Sequence, residues 1–187
     1  MRLKTLVVCV LLLVLAACDK PFSPVNDDWV ELIDEEEGLS ISYPTDWVRA
    51  EETLTPNLGS PREVLSIGTF PLEPGGPNCA QVPTNALIDL RPEDVFLTLQ
   101  GDLSRPDSED RPVFGPGVGL GMDHLEIPYC LPEDERLDIG EMQWVHFSDA
   151  GRGFYLLVAI GSDASAATVD QVWMVANSLA IAPAAVP

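Results

Sequence analysis

Lysine is nearly absent from this chain: Lys4 and Lys20 are the only two among 187 residues, and histidine also occurs only twice, at 124 and 146. Ten basic residues face thirty acidic ones, for a net charge of −20. Such a balance opposes binding to nucleic acid or to bare anionic lipid, because both present phosphates that need Lys and Arg, and no nucleic-acid partner is expected. Beyond residue 20 no lysine remains to serve a Ser-x-x-Lys nucleophile or a phosphate-loop ammonium, and no Gly-x-Ser-x-Gly elbow occurs. Long apolar runs are lacking as well. The longest, Leu6 to Ala17, rises only ~18 Å as a helix, short of a hydrocarbon core of ~30 Å, so a permanent transmembrane span is not expected.

What that run does have is a basic start, Arg2 and Lys4, and small residues at its end, Ala16 and Ala17 before Cys18. Those are the three regions of an export signal. The quartet Leu15-Ala16-Ala17-Cys18 resembles the lipobox of bacterial lipoproteins. The resemblance implies a thioether-linked diacylglyceryl group on Cys18, cleavage before it, and anchoring to the extracytoplasmic face of a cell membrane. Acyl chains, palmitate among them, contribute about 0.8 kcal/mol per buried methylene, so two or more hold a protein stably where one does not. The alternative is an ordinary signal with an incidental cysteine. Cys9 is discarded with the signal on either reading.

Loss of residues 1–17 leaves 170 residues and moves the net charge to −22, since Arg2 and Lys4 go with them. That length suffices for one domain with a sizeable core. The expected organisation is a signal peptide over 1–17, a Pro- and Asp-bearing tether over 18–28, one α+β domain over 29–180 and a tail over 181–187. Cys79 and Cys130 are the cysteines left in the domain. In an oxidising compartment an even pair reads most simply as a disulfide. The loop it would close, from Cys79 to Cys130, spans about 50 residues and corresponds to roughly 4 kcal/mol in the chain-entropy model. A catalytic or metal-binding thiol instead needs a neighbouring histidine or a Cys-x-x-Cys spacing, and the sequence has neither.

Acids crowd at Asp27, Asp28, Glu31, Asp34, Glu35, Glu36 and Glu37. Their spacing lacks the alternation and glycine of the calcium loop, so a solvated acidic face is the reading preferred over a cation site. Leu39 to Pro44 alternates apolar and polar as a half-buried strand, Pro44-Thr45-Asp46 turns, and Trp47-Val48-Arg49 opens a second strand. Val64–Phe70 and Val95–Gln100 are further strands, with a short helix from a Thr84-Asn85 cap to Leu90 between them. Residues 101–119 read as a surface loop, and the run from Gly115 to Gly121 as a flexible one rather than a phosphate site. Glu141–Ser148 and Gly153–Ile160 form a hairpin through Asp149-Ala150-Gly151-Arg152. The second strand is apolar on both faces, as a covered central strand should be. A closing helix, capped by Ser162 or Asp163, carries Val169, Val172, Trp173, Ala176 and Leu179 at helical spacing and is expected to be amphipathic.

Two stretches, Gly38-Leu39-Ser40-Ile41-Ser42-Tyr43-Pro44-Thr45-Asp46-Trp47 and the closing hairpin with its helix ending Asn177-Ser178-Leu179, resemble the PsbP/Mog1-like superfamily. The resemblance covers about a third of the chain and implies an antiparallel sheet flanked by helices. That superfamily has no shared active site, so no functional residue is carried over.

His124 and His146 are the ligand candidates. His124 follows Asp123 beside the glycine-rich run, and His146 shares a strand face with Met142 and Trp144. Zinc would need both histidines plus acids brought together by the fold, so no metal and no cofactor is assigned. The carboxylates Glu133, Asp134 and Glu135 read as an exposed turn. The expected function is a lipid-anchored accessory or interaction module, not an enzyme, working beside another cell-envelope protein. A ligand- or cation-binding lipoprotein is the alternative.

Overall fold

The computed structural model describes residues 28–75, 78–79, 81–102, 109–121 and 137–183. Cys18, the tether, His124, Glu133–Glu135 and Cys130 lie outside them. Among the described residues eleven strands and two helices follow in chain order: β1 (Trp29–Asp34), β2 (Leu39–Pro44), β3 (Val48–Arg49), β4 (Arg62–Gly68), β5 (Asn78–Cys79), β6 (Val82–Pro83), α1 (Thr84–Asp89), β7 (Val95–Asp102), β8 (Leu120–Gly121), β9 (Ile139–Asp149), β10 (Arg152–Gly161), α2 (Ala166–Ser178) and β11 (Ala180–Ile181). The class is α+β, with antiparallel ladders throughout these strands.

The main sheet is ordered β3-β4-β7-β10-β9-β8. Its centre is the strand whose two faces are both apolar. Phe154, Leu156, Val158 and Ile160 of β10 enter one core, while Tyr155, Leu157 and Ala159 enter a second on the opposite face. The first core is closed by α2 through Val172, Trp173, Val175 and Ala176, and by Leu39 and Ile41 of a separate sheet ordered β1-β2-β11. The second is closed by α1 and by Ala50, Leu54, Phe70 and Val82. The antiparallel sheet has a helix on each face, α2 on the first and α1 on the second. The first face is also covered by a second sheet, because the acidic tract supplies a strand: β1 pairs with β2 from Trp29↔Pro44 to Asp34↔Leu39. The turn at Pro44–Trp47, closed by the Trp47 N–H donating to Pro44 O at 3.1 Å, therefore passes the chain from one sheet to the other.

The hairpin between β9 and β10 turns at Ala150 (φ 51°) and Gly151 (φ 75°). Positive φ at both central residues is the mirror-image turn whose twist matches that of the strands. The start of α2 differs from expectation: Ser165 is its cap, accepting from the Thr168 N–H at 3.1 Å, and not Ser162 or Asp163. The backbone N–H groups of Ser162 and Asp163 donate to Asp138 O (2.9 Å) and Pro92 O (2.7 Å), so these residues still belong to the strand exit. At α1 the cap position is Pro83, without a side-chain bond. Thr84 is buried and Asn85 donates to Gly75 O at 3.3 Å, so neither side chain turns back on the helix.

Residues 109–119 are more than a surface loop. Asp110 bridges to Ser148, and Phe114 is buried edge-on against Phe147, ring centres 5.4 Å apart. The glycine-rich run ends as β8, paired to β9 at Leu120↔Trp144. Before it, the Val118 and Gly119 N–H groups both donate to Gln143 Oε1 at 3.1 Å.

The last two residues of α2 act as backbone surrogates. Asn177 Oδ1 accepts from the Phe114 N–H (2.9 Å) and Asn177 Nδ2 donates to Phe114 O (2.9 Å). Ser178 Oγ accepts from the Ser42 N–H (2.9 Å) and lies 3.0 Å from Ser42 O. Each side chain thus meets an amide pair much as a neighbouring strand does, one on each side of the helix. Asn177→Ala is expected to cost about 1–2 kcal/mol in urea unfolding, the usual loss when a buried amide pair loses its partners. It should also speed hydrogen exchange at the Phe114 amide. Unchanged protection there would mean that the clamp does not hold the segment.

Candidate functional site

Four polar side chains lie in register across the second-core face: Glu63↔Gln100 between β4 and β7, Gln100↔Tyr155 between β7 and β10, and Tyr155↔His146 between β10 and β9. Glu63 reaches that face because of an irregularity between Glu63 and Leu65. The extra residue of a bulge shifts alternation by one, so Glu63 and Ser66 share a side, as the 2.7 Å bond from Ser66 Oγ to Glu63 Oε1 requires.

The Glu63 carboxylate is 8% exposed. Its Oε2 accepts from the Thr55 N–H (2.9 Å), Thr55 Oγ1 (2.8 Å) and Thr53 Oγ1 (3.0 Å). Ser66 Oγ in turn lies 2.9 Å from Thr98 Oγ1. No Lys or Arg pairs with Glu63 among the described residues. Among the described residues hydroxyls and a backbone amide meet the carboxylate, which is how a buried acid is accommodated without a cation.

Gln100 is 1% exposed and donates through Nε2 to Gln81 O at 2.6 Å, while its Oε1 has no partner among the described residues. Tyr155 stacks on His146 with ring centres 4.3 Å apart and planes 20° from parallel, and Trp144 lies 5.2 Å from Tyr155. Three strand spacings separate Glu63 from His146, about 14 Å. The two cannot exchange a proton directly.

His146 is half-buried, and at its outer side the sheet edge is notched. The edge of β9 is covered by β8 at Gln143 and Trp144 and, further along, by Glu109–Arg111, where Ser148 N–H donates to Glu109 O and Arg111 N–H to Ser148 O (3.0 Å). Between these two attachments opens a cavity of about 320 Å³, lined by Glu109, Asp110, Pro112, Val118, Gly119, Leu120, Trp144, Val145 and His146. Three apolar side chains on this segment stand in solvent: Val113 (83% exposed), Leu120 (55%) and Val118 (40%).

A second polar centre brackets the β1–β2 turn. Glu37, expected on the solvated acidic face, is only 13% exposed: Arg62 pairs with its Oε1 at 2.6 Å and Arg152 with its Oε2 at 3.7 Å. Arg152 also donates to the Glu37 carbonyl at 2.6 Å and lies over the Phe154 ring. Its hydrogen-bonding groups are turned on one another, and the cleft beside it is about 110 Å³. This centre is a brace tying the hairpin turn to the main sheet. Glu31, Glu35 and Glu36 are exposed, as a solvated face requires.

Of the residues singled out from the sequence, His146 sits at the notch and His124 lies outside the described residues. Cys79 has its backbone in β5, paired with Val82, and Cys130 is outside. Among the described residues no group of His, Cys, Asp and Glu could hold a metal ion, and no helix is long and apolar enough to cross a membrane. Sequence reasoning missed Glu63 and the notch. The one available signal for Glu63 was the hydroxyl-rich Thr53 and Thr55 shortly before an acid that begins a strand. Compared with family models, curated proteins and solved structures, the chain has no match.

Proposed function

We propose that this chain is an exported, lipid-anchored interaction module of the cell envelope, its PsbP/Mog1-like α+β domain closed by an amphipathic helix at α2 and tethered through Cys18. The observation that carries the reading is the notch at the edge of the main sheet: Val118 and Leu120 of its lining stand exposed, and so does Val113, next in the chain to the lining residue Pro112. Apolar side chains gathered at one place on a strongly charged surface mark a contact site. The lipobox-like quartet ending at Cys18 supports a position of that surface beside a membrane.

The anchor is tested by intact mass of the membrane-extracted protein. Acyl chains on Cys18 and two fewer hydrogens at Cys79 and Cys130 are the expected result, and Cys18→Ser is expected to move the protein to the soluble fraction. A full-length, unacylated chain would refute the anchor, and alkylation of both remaining thiols without reduction would refute the disulfide. For the module reading, photo-crosslinking in intact membranes is expected to yield discrete adducts with another envelope protein.

A further inference from the structure

The geometry points to the partner's chemistry: we propose that the notch at the outer edge of β9 seats a cationic side chain from an extended basic segment of another envelope protein. This rests on the reading of the chain as an interaction module and names what the module grips.

The lining has the two parts such a side chain needs. Pro112, Val118 and Leu120 offer apolar surface to an aliphatic stem. Glu109 and Asp110 bring two exposed carboxylates to the same cavity. Neither is in an ion pair among the described residues, and the adjacent Arg111 is committed elsewhere, to Asp149 Oδ2 at 3.0 Å and Leu179 O at 2.6 Å. Among the described residues no Lys or Arg lines the notch.

Size and setting select the form of the partner. A cavity of about 320 Å³ lies at the small end of ligand pockets, near 300 Å³, and suits one or two side chains. It opens on a strand edge between two short attachments, where a chain running alongside β9 can lower a side chain into it. The net charge of −22 expected once Arg2 and Lys4 are removed draws a basic segment in over long range and opposes a second copy of this chain.

The test uses the full-length lipidated protein in detergent micelles and a fluorescent ten-residue peptide alternating Arg and Val, followed by anisotropy. Saturable binding is expected, with none for the same peptide carrying Glu in place of Arg. The double variant Glu109→Gln with Asp110→Asn is expected to weaken binding about tenfold, as losing two exposed charge pairs implies. Glu51→Gln with Glu52→Gln, at the opposite edge of the sheet, should change it less than twofold. Both double variants remove exposed carboxylates, and unchanged melting confirms their fold. Equal weakening by the two would overturn the proposal in favour of diffuse attraction. Free argininamide binding as tightly as the peptide would overturn it in favour of a small-cation pocket, and peptide-sensitive dimerisation in the ultracentrifuge in favour of a second copy. A photo-crosslinker at position 120 that gives no adduct in membranes, where one at position 33 does, refutes the notch while leaving the module reading standing. No adduct from any surface position refutes the module reading itself.

Discussion

Replacing Glu63 by Ala is expected to destabilise the protein by at least about 3 kcal/mol, lowering the melting temperature by roughly 6–12 °C for a domain of this size. The carboxylate accepts from one backbone N–H and three hydroxyls, and its neighbours Thr55 and Ser66 are 1% and 2% exposed. Alanine takes the carboxylate acceptor from the buried Thr55 N–H, Thr55 hydroxyl and Ser66 hydroxyl, leaving the first a long bond to Thr53 Oγ1 (3.3 Å) and the last Thr98 Oγ1, and each unmet buried group costs about 1–3 kcal/mol. Glu63→Gln is the informative companion. Its amide oxygen can take the three donors now on Oε2, and its NH2 can donate to Ser66 Oγ if the Ser66 hydroxyl turns toward Thr98 Oγ1, 2.9 Å away. Hydroxyl rotors permit that reversal, so Gln should cost only about 1–2 kcal/mol, the charge-assisted part of the network. Thermal melts of the two variants check this. Alanine as mild as glutamine would show that water reaches the site and that the carboxylate is not the hub of a buried network.

Gly161→Ala is expected to be comparably damaging, at about 3 kcal/mol or more, through overpacking against backbone that cannot retreat. A Cβ at Gly161 would stand 2.5 Å from Arg91 O and closer still to Pro92 O. The segment 91–94 is pinned where it lies. Gly161 N–H donates to Asp94 O (2.8 Å) and Asp163 N–H to Pro92 O (2.7 Å), while Thr69 Oγ1 donates to Asp94 Oδ1 (2.7 Å). Relieving the clash therefore means breaking the junction between β10 and the turn before β7. Gly59→Ala, where a Cβ meets nothing within 4 Å, is the control and should stay within about 0.5 kcal/mol of the parent in denaturant unfolding. Equal stability of the two variants would mean that the 91–94 turn yields freely.

These sites differ in how far the sequence exposes them. The alternation of Leu39 to Pro44 and the two apolar faces of Phe154–Ile160 are local patterns, and the structure shows both as strands with those faces buried. The hairpin at Ala150-Gly151 was equally local. The cap of α2 was not, because Ser162 and Asp163 are as suitable as Ser165 until Asp138 O and Pro92 O are known to hold their N–H groups. Nor was β1: its acids read as a solvated run, since Trp29 and Leu32 pack inward only once β2 and the first core stand beside them.

By itself, then, the sequence determined the net charge, the α+β class and the central strand with two buried faces. Each of these depends on residues adjacent in the chain or repeating at a strand or helix period. Tertiary structure alone decided that Glu37 is braced by two arginines, that Glu63 is buried by a bulge, and that a notch opens beside His146 at the sheet edge. Those features join residues tens of positions apart, and their energies come from desolvation and from hydrogen-bond partners that no local pattern specifies.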